Sequence, residues 1–133
     1  IETKKSFHND WLLTGDLGLM DSDNFVFVKG RIKELIIKGG ENISPREIDD
    51  VLYQHPDILE AAAFGDDCSH YGETVKAGVV LKNKDSVSEK DLIEHCLKIL
   101  GKFKSPDNIY FFDELPKGSS GKIQRLKIKD QIK

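Results

Sequence analysis

The sequence predicts a small α+β domain, and three observations carry that expectation. Short apolar runs of strand length are bounded by Gly, Pro, Asn and Asp clusters. Two longer stretches hold apolar residues at helical spacing behind recognisable start signals. The resulting order, β-β-β-α-β-β-α-β followed by a loop-rich end, mixes strands and helices without a regular βαβ alternation.

The elements follow in order. "WLLTGDLGLM" (11–20) and "FVFVKGR" (25–31) are two apolar strands separated by the polar turn "DSDN", a hairpin pattern. "IKELIIKGGENIS" (32–44) is strand-like and ends in the flexible pair Gly39-Gly40. The clearest helix start comes next. Ser44 can cap, Pro45 suits the first helical position, and Glu47 completes an S-x-x-E capping box. Ile48, Val51 and Leu52 share one face of this helix, which must stop near "QHP" because Pro56 disfavours helical geometry in the residue before it. "ILEAAAFG" (58–65) and "ETVKAGVVLK" (73–82) are two buried strands around the polar loop "DDCSHYG". A second helix follows, capped by Ser88 or Ser86. It places Leu92, Ile93, Cys96, Leu97 and Leu100 at helical spacing and stops at Gly101. "NIYFF" (108–112) is a last short strand, and "DELPKGSSGK" (113–122) is loop.

Composition bounds the function. The 133 residues suit one domain with a piece of another, and 38% hydrophobic with 32% charged residues suits a globular chain with a modest core. A net charge of −3 argues against nucleic-acid binding by bulk charge. The tail from Lys117 to Lys133 is locally +5, but it has no aromatic residue on which bases could stack. No apolar run approaches the ~20 residues of a membrane span. The opening "IETKKSFHND" is polar, without an initiator Met, and predicts a piece of a longer chain. Cys68 and Cys96 form no C-x-x-C pattern, which points to a reducing, cytoplasmic setting. A zinc site of Cys68, His70, His95 and Cys96 is not expected. His95 and Cys96 are neighbours in a helix, and neighbours do not share a helix face.

The stretch "LPKGSSGKIQR" (115–125) has the look of a phosphate-binding loop but fails as one. A Walker A loop needs four residues between its glycines and a Ser or Thr after its Lys. Here only Ser119 and Ser120 separate Gly118 from Gly121, and Ile123 follows Lys122. The lysine on this Gly/Ser loop requires another explanation.

Four segments together supply it: "TGD" (14–16), "GRIKELIIKGGENISPREID" (30–49), "YGE" (71–73) and "LPKGSSGKIQR". In this order and spacing, across nearly the whole chain, they resemble the C-terminal portion of adenylate-forming enzymes of the acyl-CoA synthetase type. The wording "GGENISP" and "SGKIQR" is more similar to acyl-CoA ligases than to peptide-synthetase adenylation domains. The resemblance implies that residues 1–31 are the end of a large N-terminal AMP-binding domain. Residues 32–133 would be the small mobile C-terminal domain. It also implies ATP with Mg²⁺ and CoA as co-substrates, and a carboxylic acid whose pocket lies in the N-terminal domain. The acid is first joined to AMP; the small domain then rotates and CoA takes the acyl group. This chain alone is expected to be inactive, to bind no cofactor tightly, and to need the N-terminal domain as partner. The readings set against this one are an adenylation domain loading a carrier protein, an enzyme with oxygen as acceptor, and a stand-alone binding module.

The resemblance assigns roles residue by residue. Lys122 becomes the catalytic cation, an ammonium delivered into a site built by another domain to bridge the acid and the α-phosphate. Asp16 accepts from the ribose hydroxyls, as an alternative to satisfying its own turn. Arg31 meets phosphate or ribose oxygens, as an alternative to a solvated strand-edge charge. Lys33 stands at the hinge, and would be an exposed lysine in either conformation. Gly39 and Gly40 line the pantetheine tunnel, a role compatible with a plain turn between strand and helix. Tyr71 and Phe103 stand where related ligases place rings against CoA, with core packing as the alternative. No metal ligand is expected among these residues.

Overall fold

The fold is that of a computed structural model and is described for residues 2–132. The chain divides into two compact units that meet between Lys33 and Glu34.

The first unit contains a short helix, α1 (Glu2–Lys5), not expected from sequence, and a minimal hairpin of β1 (Phe7–His8) and β2 (Trp11–Leu12); the single strand expected over 11–20 is thus broken at 13–15. The expected hairpin follows as β3 (Asp16–Met20) and β4 (Val26–Arg31), antiparallel around the DSDN turn. Asp21 closes that turn with its own carboxylate, which accepts from the amides of Asp23 (2.9 Å) and Phe25 (3.0 Å). No described residue of this unit is buried. Trp11, Met20, Phe25 and Val26 are each more than 60% exposed. Two-stranded hairpins cannot bury both of their faces, so an apolar sequence here leaves apolar surface open.

The second unit is built on a five-stranded sheet. A 3₁₀ turn (Ile32–Glu34) leads across the boundary into β5 (Ile36–Lys38) and β6 (Glu41–Ile43), then α2 (Pro45–Tyr53), β7 (Ile58–Cys68), β8 (Gly72–Leu81), α3 (Glu89–Leu100), β9 (Asn108–Phe111) and α4 (Arg125–Gln131). β7 and β8 pair along their whole length, from Ile58 opposite Leu81 to Cys68 opposite Gly72. The expected loop "DDCSHYG" is therefore mostly strand, and only residues 69–71 turn. On its other side β8 meets β5 at Gly72 and then β9, in parallel, from Lys76 to Val79.

Strand periodicity sorts the core into two layers. Ala61, Ala63, Val75, Ala77 and Val79 face α2 and α3, where Ile48, Leu52, Leu92 and Cys96 close the larger cluster. Ala62, Phe64 and Val80 face the other way, onto Leu115 and Ile128 of α4. A strand covered on both faces reads as a continuous apolar run, which is why "AAAF" does not alternate.

Two local expectations are corrected. The capping box at Ser44 does not form: Ser44 makes no side-chain capping bond, and the Glu47 carboxylate instead takes Lys104 Nζ at 3.0 and 3.1 Å. The box forms at Ser88, whose hydroxyl accepts from the Asp91 amide while Asp91 reaches back to the Ser88 amide. The loop-rich end is also more ordered than expected, because burying Ile128 against the sheet makes a helix of residues 125–131.

Candidate functional site

Residues singled out in the sequence gather at three places. In the first unit, Asp16 opens β3 directly opposite Arg31 at the end of β4. Thr14 Oγ1 accepts from the Asp16 amide at 3.2 Å, which leaves the carboxylate free for Arg31 Nε at 3.6 Å. The guanidinium is 67% exposed, so its remaining donors face water. Lys33 lies within the 3₁₀ turn, exposed, at the boundary of the two units.

In the second unit, Gly39 and Gly40 form the two-residue turn joining β5 to β6, with Lys38 opposite Glu41. Their φ angles of +56° and +83° are those of a type I′ turn, which demands positive φ at both positions. The pair joins strand to strand, not strand to helix. Beside it lie both predicted rings: a Cβ on Gly39 would stand 3.6 Å from Tyr71 and 3.9 Å from Phe103. The Gly39 amide donates to the Tyr71 carbonyl at 2.9 Å. Both rings are partly exposed, at 44% and 38%, and neither belongs to the buried core.

Sequence reasoning missed the residue at the centre of this cluster. Lys38 is only 5% exposed; its ammonium donates to the Phe103 carbonyl at 2.8 Å and stands 4.9 Å from the Phe103 ring centroid and 5.4 Å from that of Tyr71. Lys38 shares the inward face of β5 with Ile36, while Ile37 between them is exposed. Only the strand register reveals a lysine placed where the pattern calls for an apolar residue.

The third place is the Gly/Ser loop. Lys117 and Ile123 pair across it, Gly118 donates to the Lys122 carbonyl at 2.9 Å, and Gly121 donates to the Gly118 carbonyl at 3.0 Å. It is thus a tight miniature hairpin with Lys122 at the exit of its turn. The neighbouring cations are engaged. Lys117 Nζ meets Glu60 at 2.7 Å, a bond that raises the lysine's pKa, and Lys129 meets Asp66 and Asp67. Lys122 is exposed and forms no ion pair with any described residue.

Two further residues that sequence reasoning left without a role anchor the loop. Arg125, the last residue of "SGKIQR", forks onto Asp49 of α2 at 3.1 and 2.7 Å and donates to the Ala63 carbonyl at 2.6 Å. Asp49 also accepts from the Ala63 amide at 2.6 Å. The free edge of β7 at Ala63 is thereby closed by side chains, one of the ways an edge strand is blocked. Burial pushes the Asp49 carboxyl above its ordinary value, against the pull of Arg125 and the Ala63 amide.

The two places in the second unit stand far apart. Lys117 holds the Gly/Ser hairpin at Glu60, opposite Val80, whereas Tyr71 lies in the turn just beyond the Cys68–Gly72 pair. Eight residue steps along β7 separate Glu60 from Cys68, roughly 25 Å of strand. The cysteines serve neither place: both are free, and burial pushes the Cys96 thiol up to about 11. No metal-binding group of His, Cys, Asp or Glu forms among the described residues, and no described helix is long and apolar enough to cross a membrane.

Known proteins resemble this chain over nearly its whole length. Sulfoacetate–CoA ligase of Cupriavidus necator is 50% identical over 127 residues, which cover 95% of this chain and 25% of that protein. Oxalate–CoA ligase of Arabidopsis thaliana is 45% identical, over 92% of this chain and 24% of its own length. The o-succinylbenzoate CoA synthetase of Bacillus subtilis, solved with its acyl-adenylate intermediate, superposes with a TM-score of 0.88. It shares 40% identity and covers 96% of this chain and 26% of its own. The chain thus spans about a quarter of the length of the curated relatives it matches. Residues 47–122 match the model of the AMP-binding enzyme C-terminal domain, and the chain belongs to that family.

Proposed function

We propose that this chain is the C-terminal part of an ATP-dependent acyl-CoA ligase acting in the cytoplasm. Residues 1–31 would complete the large AMP-binding domain, which would cover the apolar faces of the first hairpin. Residues 32–133 would be the domain that moves. In the first half-reaction a carboxylate oxygen attacks the α-phosphorus of Mg²⁺-bound ATP, forming acyl-AMP and releasing pyrophosphate. In the second, the CoA thiolate attacks the acyl carbon, forming the thioester and expelling AMP. Asp16 and Arg31 hold the nucleotide's ribose and phosphate. Lys122 supplies positive charge where negative charge builds on the phosphorus. Gly39, Gly40, Tyr71 and Phe103 line the path of the pantetheine arm.

The observation that supports this reading best is the separation of the two places along one continuously paired hairpin. Roughly 25 Å of strand lies between the anchor of the Lys122 loop and the ring-lined turn. One active site cannot hold both ends at once, so each half-reaction takes one of them. That Lys122 pairs with no carboxylate among the described residues agrees with a cation kept available for substrate.

The test uses the complete enzyme. Lys122→Ala is expected to slow acyl-AMP formation by at least ~10²-fold, the usual effect of removing a preorganised charge donor. Supplied with preformed acyl-AMP and CoA, the same variant is expected to form thioester at the parent rate. Equal slowing of both half-reactions would reject the two-ended scheme.

A further inference from the structure

The buried Lys38 is a costly choice. An ammonium removed from water loses several kcal/mol of solvation unless charge partners replace it. None of the carboxylates among the described residues pairs with it. Its surroundings are one carbonyl oxygen and two aromatic rings, and an aliphatic side chain of similar length would fill the same space without that penalty. What the ammonium adds is attachment. It joins three segments that are remote in sequence: the β5–β6 turn, the β7–β8 turn at Tyr71, and the loop after α3 at Phe103. The last of these is itself held by Ser105, whose hydroxyl and amide both donate to the Gly101 carbonyl, at 2.6 and 3.2 Å.

We infer that Lys38 is the positioning residue of the thiol-accepting face. Its charge fixes the Tyr71 and Phe103 rings beside Gly39, so that they form a preset wall for the pantetheine arm of CoA. Lys38 need not touch CoA, since it acts through the two rings. Cations over ring faces are worth most when desolvated, as this one is. This inference rests on the reading of the Gly39 face proposed above.

The experiment compares four variants of the complete enzyme, each assayed separately for acyl-AMP formation and for thioester formation from preformed acyl-AMP. Lys38→Met keeps the length and removes the charge. It is expected to raise KM for CoA about tenfold while leaving KM for ATP and the rate of acyl-AMP formation unchanged. Lys38→Arg keeps a cation over both rings and is expected to restore KM for CoA to within about threefold of the parent. If the methionine variant does not fold, Lys38→Gln takes its place with the same expectation. An unchanged KM for CoA, or an equal loss in both half-reactions, overturns the inference. Tyr71→Ala and Phe103→Ala test the underlying reading. If they raise KM for CoA and Lys38→Met does not, only the role of Lys38 falls. If they too leave it unchanged, the assignment of this face falls, and the role of Lys38 with it.

Discussion

Charged residues of this chain differ widely in what they contribute, and burial decides which matter. Asp49 and Arg125 form a bidentate pair with side chains 10% and 15% exposed, and the pair also satisfies both backbone groups of Ala63. Lys104 and Glu47 make a comparable contact at 41% and 45% exposure. An exposed pair contributes about 0–1 kcal/mol, whereas removing one partner from a buried pair costs about 3–5 kcal/mol because the other charge is stranded. Asp49→Asn is therefore expected to destabilise the chain by about 3 kcal/mol in urea unfolding. The lower end of the range applies because asparagine still offers an acceptor to the Ala63 amide and because Glu34, 3.4 Å from Arg125 Nε, keeps the guanidinium partly paired. Lys104→Gln is expected to change stability by less than ~0.5 kcal/mol. Similar losses for the two variants would mean that the Asp49–Arg125 clasp does not hold the edge of β7. Nothing in a local window marks Asp49 as different from Asp50 beside it. The difference comes from Arg125, 76 positions away, which a sequence pattern does not register.

At the scale of elements, packing against the second face of the sheet sets the tightest constraint. Gly78 of β8 lies under α4, and a Cβ there would stand 3.0 Å from Phe112 Cε2 and 3.1 Å from both Leu115 Cδ2 and Ile128 Cγ2. Gly78→Ala should overpack this layer and cost about 1–3 kcal/mol, read as a lower denaturation midpoint. Adding Phe112→Leu, which removes the Cε2 atom nearest the new Cβ, should recover part of that loss, because the two changes share one contact. Unchanged stability of Gly78→Ala would show that the layer has room to spare. Helices and strands with local signals were legible beforehand. The 89–100 helix has its cap and its apolar face within one window, and Ser88 caps it as expected. The 45–53 helix was legible, but its cap chemistry was not, because Lys104 competes for Glu47 from 57 residues away. α4 escaped notice because its seven residues, three of them basic, become a helix only where a sheet face receives Ile128. The site followed the same rule. The glycine pair and the Lys122 loop stand out as motifs, whereas Lys38 needs the register of β5 before its inward position can be seen.

For the whole molecule, the proposed function requires the chain to present its two distant places in turn. The boundary between the two compact units falls within the 3₁₀ turn Ile32–Glu34, and Lys33 in that turn is exposed. Short 3₁₀ segments have poorer hydrogen-bond geometry than α-helix and are suited to act as pivots. A proline at Lys33 would fix φ near −65°, within the range a 3₁₀ turn already uses, and would bar the larger backbone change that domain rotation needs. In the complete enzyme, Lys33→Pro is accordingly expected to leave acyl-AMP formation within about threefold of the parent. Thioester formation from the bound adenylate should fall by at least tenfold, since an enzyme locked before rotation cannot bring the Gly39 face to the acyl group. Lys33→Ala, which leaves the backbone free, should affect neither step. The comparison requires that both variants melt like the parent. Equal loss of the two half-reactions in a folded Lys33→Pro enzyme would move the pivot elsewhere. Retention of both would mean that φ at this position does not change as the domain turns.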